Sequence, residues 1–591
     1  MFVVFVVLVV AGVSARLVDL QVVKPDRYVA YGLRQRDGFR SLPAGRGAIL
    51  DRDGQAFAMS VAQPQVIADP TQVTRPRRTA RILAAELDVD ASTLEAALAR
   101  KGRRYAVIAP LVSPAVADRV KRLELPGIAI SKRYLRTSPS RGLAAPVVGR
   151  ALADGQVVAD SAHQGVSGIE RQYDDALTGR PGRLYYEKDP VGNTIAGGRQ
   201  RLEAARPGAD VYLTLDQSLQ YETQRALADQ VDATGAQGAM AIVMHPSTGE
   251  IVAMAGVNRR FDGTIADTAE VTPVTSVFEP GSVNKVITIA GAMEDGLVDP
   301  DTVLDVPDRL ALYDRTFNDH DPHPTSPWSV TDILVTSSNI GTIKIAQQLG
   351  PARVDHYLRA FGFGHDTGLD LSGESAGLLR DLEDWSGVDI GAIPIGQGIS
   401  VTALQMLSAY NVIANGGVYV APKLVVATDD GHGRTATRPS AHHRVVSPQT
   451  AAAMGAMLDK VVTDGTGQRA AVPGYDIGGK TGTARIPQGG KDAVDGYRDA
   501  AGRYHYYSSF VGTVDGADLS IIVAVREAET SIYGGEVAAP VFSHLAASAL
   551  RRYQVPPPAL MSAARPSVPD LSASAKEVGG EDVTVGGREA G

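Results

Sequence analysis

Residues 2–13, FVVFVVLVVAGV, form an unbroken apolar run, and Arg16 is the first charge. A helix from Met1 to Ala15 is about 22 Å long, short of the roughly 30 Å hydrocarbon layer of a bilayer. No basic residue precedes the run, although signal peptides and signal anchors normally carry one. Two readings stand: a membrane anchor whose start lies upstream, or a short signal peptide cleaved after Val13-Ser14-Ala15. A buried core helix seldom opens a chain this way, so a single-pass anchor is expected. Residues 24–45 carry turn signals at Lys24-Pro25-Asp26 and Leu42-Pro43-Ala44-Gly45, which predicts an extended juxtamembrane connector. Ile49-Leu50 predicts a short strand and Asp53-Gly54 a hairpin turn. Helical periodicity follows over 78–100 and over Pro114 to Leu123, with Ser113 as N-cap and proline at the first helical position. Glycine turns bracket a short helix between Gly165 and Gly182. Val211 to Thr214 reads as a strand.

The texture changes near residue 217. Ser218 to Val231 predicts a helix. Gly238 to Met244 and Glu250 to Ala255 predict two strands joined at His245-Pro-Ser-Thr-Gly249. A helix is expected from Ser282, with further helices to about residue 415. Ile477 to Arg485, Ser508 to Val514 and Leu519 to Val525 predict three strands, and Ala538 to Tyr553 a closing helix. Strands on both sides of a helical block imply an α+β domain whose antiparallel sheet gathers strands from both ends. The expected division is an anchor over 1–23, a first domain over 24–210, a second over 217–553 and a Pro-, Ser-, Gly- and Glu-rich disordered tail over 554–591.

Composition narrows the chemistry. The chain has 591 residues, more than one hydrophobic core usually fills. Its net charge of −8 offers no general attraction to nucleic acid. It has no cysteine, which excludes disulfides, zinc-thiolate sites, iron–sulfur clusters and a cysteine nucleophile. His320-Asp-Pro-His323 and His442-His443 lack a helical ligand spacing with a carboxylate partner, so solvated loop histidines are expected and no metal. Asp319 and His320 precede a later motif without an assignable role.

Three short stretches can carry chemistry. In Ser282-Val283-Asn284-Lys285, positions i and i+3 share a helical face, so the serine hydroxyl and lysine amine can meet. A serine is a poor nucleophile until a base takes its proton. The helix dipole and burial in an apolar helix both lower a lysine's pKa toward that of a useful base. Taken alone, the tetrapeptide also fits a serine N-cap with a solvated lysine. Ser337-Ser338-Asn339 lies between two helical patterns. There Ser337 can relay a proton and Asn339 can bind a backbone amide, although in isolation a pair of N-caps is the better reading. In Gly478-Gly479-Lys480-Thr481-Gly482-Thr483-Ala484, alternation sends Lys480 and Gly482 to one face of a strand, and Thr481 and Thr483 to the other. Glycine permits close backbone approach, and Lys480 with the threonines suits a carboxylate. An N–H from this strand with that of Ser282 can form an oxyanion hole. Gly474 to Thr481 also fits a phosphate-loop spacing, but a phosphate loop opens a helix and this segment leads into a strand.

The ordered set Ser-x-x-Lys, Ser-x-Asn, Lys-Thr-Gly resembles that of penicillin-binding proteins and class A β-lactamases. Residues 15–552 resemble a class B penicillin-binding protein of the cell-division (FtsI) type. Further similarity lies in Phe278-Glu279-Pro280-Gly281, Gly396-Gln397-Gly398-Ile399-Ser400-Val401-Thr402, Ala414-Asn415-Gly416-Gly417, Gly465-Thr466-Gly467, the 46–54 segment and Gly168-Ile169-Glu170. Val283-Asn284 resembles the actinobacterial form. The resemblance implies a C-terminal transpeptidase domain with helices on both sides of its sheet, an elongated mixed α/β dimerisation or pedestal domain and an extracytoplasmic location. It also implies a serine D,D-transpeptidase without cofactor, acting on peptidoglycan stem peptides. Catalytic roles fall on Ser282, Lys285, Ser337, Asn339 and Lys480, and substrate-binding roles on Thr481, Gly482 and Thr483. β-Lactams are implied as covalent inhibitors. The implied partners are a membrane glycosyltransferase of the SEDS (FtsW) type and other divisome proteins, since no glycosyltransferase domain precedes the transpeptidase region. The alternatives are a D,D-carboxypeptidase or β-lactamase, a β-lactam-sensing receptor, and a scaffold with an inactive site.

Overall fold

The computed structural model describes residues 1–23, 36–100, 102–152, 164–189, 194–488 and 496–557. The expected connector falls partly, and the expected tail almost wholly, outside them. The N-terminal helix is longer than the apolar run suggests. It covers Phe2–Val18 and continues as a π-turn over Asp19–Val23. Its apolar portion, Phe2–Gln21, is long enough to cross a membrane. The stem of Arg16 does not stop it, because Arg16 pairs one turn on with Asp19 at 2.8 Å.

The first part of the chain is built on two sheets. Asp37–Leu42 pairs with Gly182–Glu187, which pairs with Gln200–Glu203. The larger sheet runs in the order 434–436, 425–429, 210–213, 49–50, 56–68, 106–109, with 128–137 also on 56–68. Its first two strands come from beyond residue 400, so the sheet is completed by late sequence. The predicted Asp53-Gly54 turn forms between Ile49–Leu50 and Ala56–Ala68, and Asp51 Oδ1 accepts the N–H groups of Asp53 and Gln55 at 2.9 and 2.7 Å. Residues 78–100 form two helices, Pro76–Leu87 and Ala91–Leu98. Ser113 caps Pro114–Arg122, its Oγ accepting from the Val116 N–H at 3.3 Å. A buried ion cluster holds the base of this region. Glu170 takes Arg46 Nε at 2.6 Å and Arg136 Nε at 2.7 Å, with all three side chains nearly inaccessible.

The second part is a six-stranded antiparallel sheet in the order 265–267, 250–259, 238–245, 519–526, 506–514, 477–485. Strands from the two ends of this segment meet where Gly238–His245 pairs with Leu519–Arg526. One face packs on Gln217–Thr234 and Ala539–Arg552 through Leu227, Val231, Phe542 and Leu545. The other packs on the helical block through Ile242, Ile287, Ile343, Met406 and Met454. This is the expected α+β arrangement with helices on both faces.

One stretch departs from the expected run of helices. Residues 303–329 hold two small strand pairs, Val303–Val306 with Ser326–Ser329 and Arg309–Leu312 with Arg315–Asn318. Each strand has four residues, too few for periodicity to separate it from loop. Arg552 on the closing helix joins Asp53 and also Asp216, the latter at 2.8 Å, tying the two parts together.

Candidate active site

The three motifs converge. The apolar helix begins three residues later than expected, at Lys285–Glu294, and Gly281–Asn284 forms a 3₁₀ turn ahead of it. Gly281, at φ +58°, makes that turn possible. With three residues per turn, i and i+3 eclipse, so Ser282 and Lys285 lie on one line. The turn is pinned from behind. The Gly281 N–H donates to the Gly396 carbonyl at 3.0 Å, Asn284 Nδ2 to the Ile393 carbonyl at 2.8 Å, and the buried Tyr410 hydroxyl to the Val283 carbonyl at 3.0 Å. Gly396, at φ +78°, has no room for a Cβ, which would overlap the Gly281 backbone. Ser282 remains partly exposed.

Ser337 sits between two buried amines. Lys285 and Lys480 are both fully inaccessible. Lys285 Nζ donates to the Ser337 carbonyl and lies 3.3 Å from the Ser337 hydroxyl. Lys480 Nζ reaches the same hydroxyl at 2.9 Å. Among the described residues no hydrogen bond joins Ser282 to Lys285; the lysine is turned to Ser337 instead. Catalytic hydrogen bonds often tighten only once substrate is bound. Burial, and then the neighbouring Lys480, push the Lys285 amine well below its usual range, while Asp319 opposes them. Burial alone lowers Lys480 to about 7. Lys480 can therefore exchange a proton near neutrality, and Lys285 gives up its proton more readily than an ordinary lysine.

The strand Ile477–Arg485 is the edge of its sheet, so its free side is open to a partner backbone. Gly482 lies against the Pro280 carbonyl and Val283. A side chain there would push the strand off the Ser282 turn. Alternation puts Lys480 and Thr481 on opposite faces, yet Lys480 Nζ curls back to the Thr481 carbonyl at 3.3 Å and to its hydroxyl at 3.4 Å. The long lysine stem overrides the face rule. Thr481 Oγ1 is 2.7 Å from Thr466 Oγ1. Thr483 is less buried, on the side of the Gly281 turn. This stretch continues as strand and opens no helix, which disposes of the phosphate-loop reading.

Asn339 is the first residue of the helix Asn339–Leu349, and Ser338 is its N-cap, accepting the Gly341 N–H at 2.9 Å. The N-cap reading is met by Ser338 alone, and Ser337 and Asn339 on either side of it are partly exposed. Asn339 Nδ2 donates to the Asn318 carbonyl at 2.9 Å. Sequence reasoning noted Asp319 and Thr466 without giving either a role, and missed Tyr410. The signals were the place of Asp319 ahead of the second motif and the family likeness of Gly465-Thr466-Gly467. His323 is a correction. It is not a solvated loop histidine: its ring lies 4.4 Å from that of Trp328, and Nε2 lies 3.1 Å from Asp319. His320, His442 and His443 are exposed as expected, His443 stacking on Tyr419 at 5.0 Å.

A buried lysine pair sharing one serine hydroxyl, beside a helix-start serine and an open sheet edge, defines a serine acyl-transfer site. The family described as penicillin binding protein transpeptidase domain matches residues 239–547, and the penicillin-binding protein dimerisation domain matches residues 41–213. The chain belongs to the class B penicillin-binding proteins, the serine-type peptidoglycan D,D-transpeptidases. It is 34% identical to the penicillin-binding protein PbpB of Mycolicibacterium smegmatis, over 93% of this chain and 89% of that protein. It is 30% identical to the peptidoglycan D,D-transpeptidase FtsI of Escherichia coli, over 94% and 92%. Its fold is similar to penicillin-binding protein 3 of Mycobacterium tuberculosis solved with aztreonam, with TM-score 0.65 and 30% identity over 88% of this chain and 99% of that one.

Proposed function

We propose that this chain cross-links peptidoglycan stem peptides through an acyl-enzyme on Ser282, and that it does so in septal wall synthesis. Ser282 Oγ attacks the carbonyl between the two terminal D-alanines, and its proton passes to Lys285 Nζ. The carbon–nitrogen bond then breaks. The departing D-alanine nitrogen takes a proton from the Ser337 hydroxyl, which Lys480 and Lys285 resupply. Asn339 holds the donor peptide, Thr481 and Thr483 hold its carboxylate, and Gly482 lets it lie along the strand edge. The amine of a second stem attacks the ester carbonyl, forms the cross-link and returns the serine. Penicillins imitate the donor and stay attached because the leaving group remains tethered.

The observation that carries this reading is the Ser337 hydroxyl lying within 3.3 Å of Lys285 Nζ and 2.9 Å of Lys480 Nζ. Such a shared group gives the proton a route between attacking and leaving atoms. The septal assignment rests on likeness to the division-type relatives, and β-lactam binding on likeness to the enzyme solved with aztreonam. The same likeness supports an extracytoplasmic catalytic domain over 217–553 on a non-catalytic domain over 24–210. It also supports a membrane glycosyltransferase of the SEDS (FtsW) type as partner.

Ser282→Ala should abolish covalent labelling by a fluorescent penicillin without moving the melting temperature. Labelling that survives would remove Ser282 as nucleophile. A long acyl-enzyme lifetime separates the transpeptidase from a hydrolase, which would turn penicillin over quickly. Midcell position of a fluorescent fusion during division tests the septal role.

A further inference from the structure

Ser337 holds its backbone at φ +61°. A residue with a Cβ stays in that region only where its surroundings over-determine it. The Ser337 and Ser338 N–H groups donate back to the Leu334 and Ile333 carbonyls at 3.2 and 2.9 Å, and one carboxylate holds the residues that follow. Asp319 follows the short strand Arg315–Asn318, and its side chain is 5% exposed. Its Oδ1 accepts the N–H groups of Asn339 and Ile340 at 2.5 and 3.0 Å. Its Oδ2 accepts the Ser338 hydroxyl at 2.7 Å. It therefore takes two of the free N–H groups at the start of the Asn339–Leu349 helix, where a negative charge is favoured. It also grips the residues on the C-terminal side of Ser337.

Asp319 is itself held. His323 Nε2 is 3.1 Å from Asp319 Oδ2, and His323 Nδ1 is 2.8 Å from the Pro324 carbonyl. Both ring nitrogens face acceptors, the pattern of an imidazolium. Burial works against that charge, but the Pro324 carbonyl and the Asp319 carboxylate outweigh it and hold His323 above its usual range. Trp328 covers the ring. The Asp319 charge also reaches Lys285, opposing the effects of burial and of Lys480.

We propose that Asp319, backed by His323, is a positioning residue for acylation: it fixes the Ser337-Ser338-Asn339 loop so that the Ser337 hydroxyl points between the two lysine amines. This rests on the acyl-transfer reading of Ser282. Neither residue touches the reacting atoms. They act through the loop, and their loss should slow the chemical step more than it weakens binding.

The test is acylation of the full chain in detergent by a fluorescent penicillin, with time courses at several concentrations separating the dissociation constant from the acylation rate constant. Asp319→Asn keeps the shape but turns one acceptor oxygen into a donor. The acylation rate constant should fall by about a hundredfold, as expected when a reacting group is misplaced by about 1 Å. The dissociation constant should move by no more than about threefold, and the end point of labelling should still be reached. A merely structural role would instead lower the end point with the folded fraction and leave the rate constant of the folded molecules unchanged. His323→Gln, whose two N–H donors sit on one nitrogen and cannot span the acceptors at opposite sides of the ring, should lower the rate constant roughly fivefold to tenfold. A rate constant within about threefold of wild type in Asp319→Asn overturns the proposal. If that variant does not fold, an unchanged rate constant in His323→Gln overturns it. Labelling of Ser282→Ala in the same assay would instead defeat the underlying reading, so the two failures are distinct.

Discussion

Replacing Lys480 with methionine tests the electrostatics of the site through stability. Burial lowers the Lys480 amine from 10.5 to about 7, and a shift of that size is equivalent to roughly 5 kcal/mol between folded and unfolded chains. The folded value is the lower one. Between pH 7 and pH 10.5 the unfolded chain therefore binds the extra proton, so stability rises with pH across this window. Below pH 7 the penalty is complete. Linkage gives a penalty of about 5 kcal/mol at pH 6, about 4 at pH 7 and about 1 at pH 10. Methionine fills a similar volume without a charge. It gives up the hydrogen bonds to the Ser337 hydroxyl and the Thr481 carbonyl, 2.9 and 3.3 Å long, which contribute about 1 kcal/mol each. Lys480→Met should thus be about 2 kcal/mol more stable than wild type at pH 7, and about 1 kcal/mol less stable at pH 10. Urea unfolding of both proteins in the same detergent at pH 6, 7, 8 and 10 measures the difference; groups that do not feel Lys480 cancel, and Lys285, whose amine Lys480 pushes down, adds to the variant's advantage at low pH. The variant should also fail to acylate. A difference in stability that stays constant from pH 6 to pH 10 would refute a neutral, desolvated amine at this position.

Acylation of wild type should reach its plateau well below pH 10.5, since Lys285 must lose its proton to act and its amine is held low by burial and by Lys480; a rate that climbs steadily to pH 10 would remove Lys285 as base. Thr466→Val takes away the partner of the Thr481 hydroxyl at 2.7 Å. Penicillin affinity should weaken by roughly tenfold or less, in line with one lost hydrogen bond, and unaltered affinity would show that Thr481 is oriented without it. Glu170→Ala leaves the Arg46 and Arg136 guanidiniums buried without their shared carboxylate, and should destabilise the first domain by about 3–5 kcal/mol in a denaturant titration. A loss below about 1 kcal/mol would mean that the remaining Arg46–Asp174 pair suffices.

Much of this protein was readable from residue order. Capping serines, the Asp53-Gly54 turn and the long apolar strands are local signals, and each formed where expected, because caps and turns are satisfied within a few residues. The 3₁₀ start at Gly281 was not readable, since periodicity does not separate it from the first turn of an α-helix. The four-residue strands of 303–329 were too short to carry a period. His323 looked solvated because nothing in its neighbourhood announces that Trp328 folds over it.

The sequence alone determined which side chains could serve: a hydroxyl and an amine three residues apart, a serine and an amide at a helix start, a lysine on a glycine-rich strand. It also determined the apolar faces that force sheet and helices together. Only the tertiary structure decided what those groups became. Lys285 and Lys480 are ordinary cations until residues almost two hundred positions apart in sequence remove their water. Asp319 means nothing until a short strand brings it under the next helix. Desolvation and the meeting of charges depend on distance in space, and chain order does not carry that information.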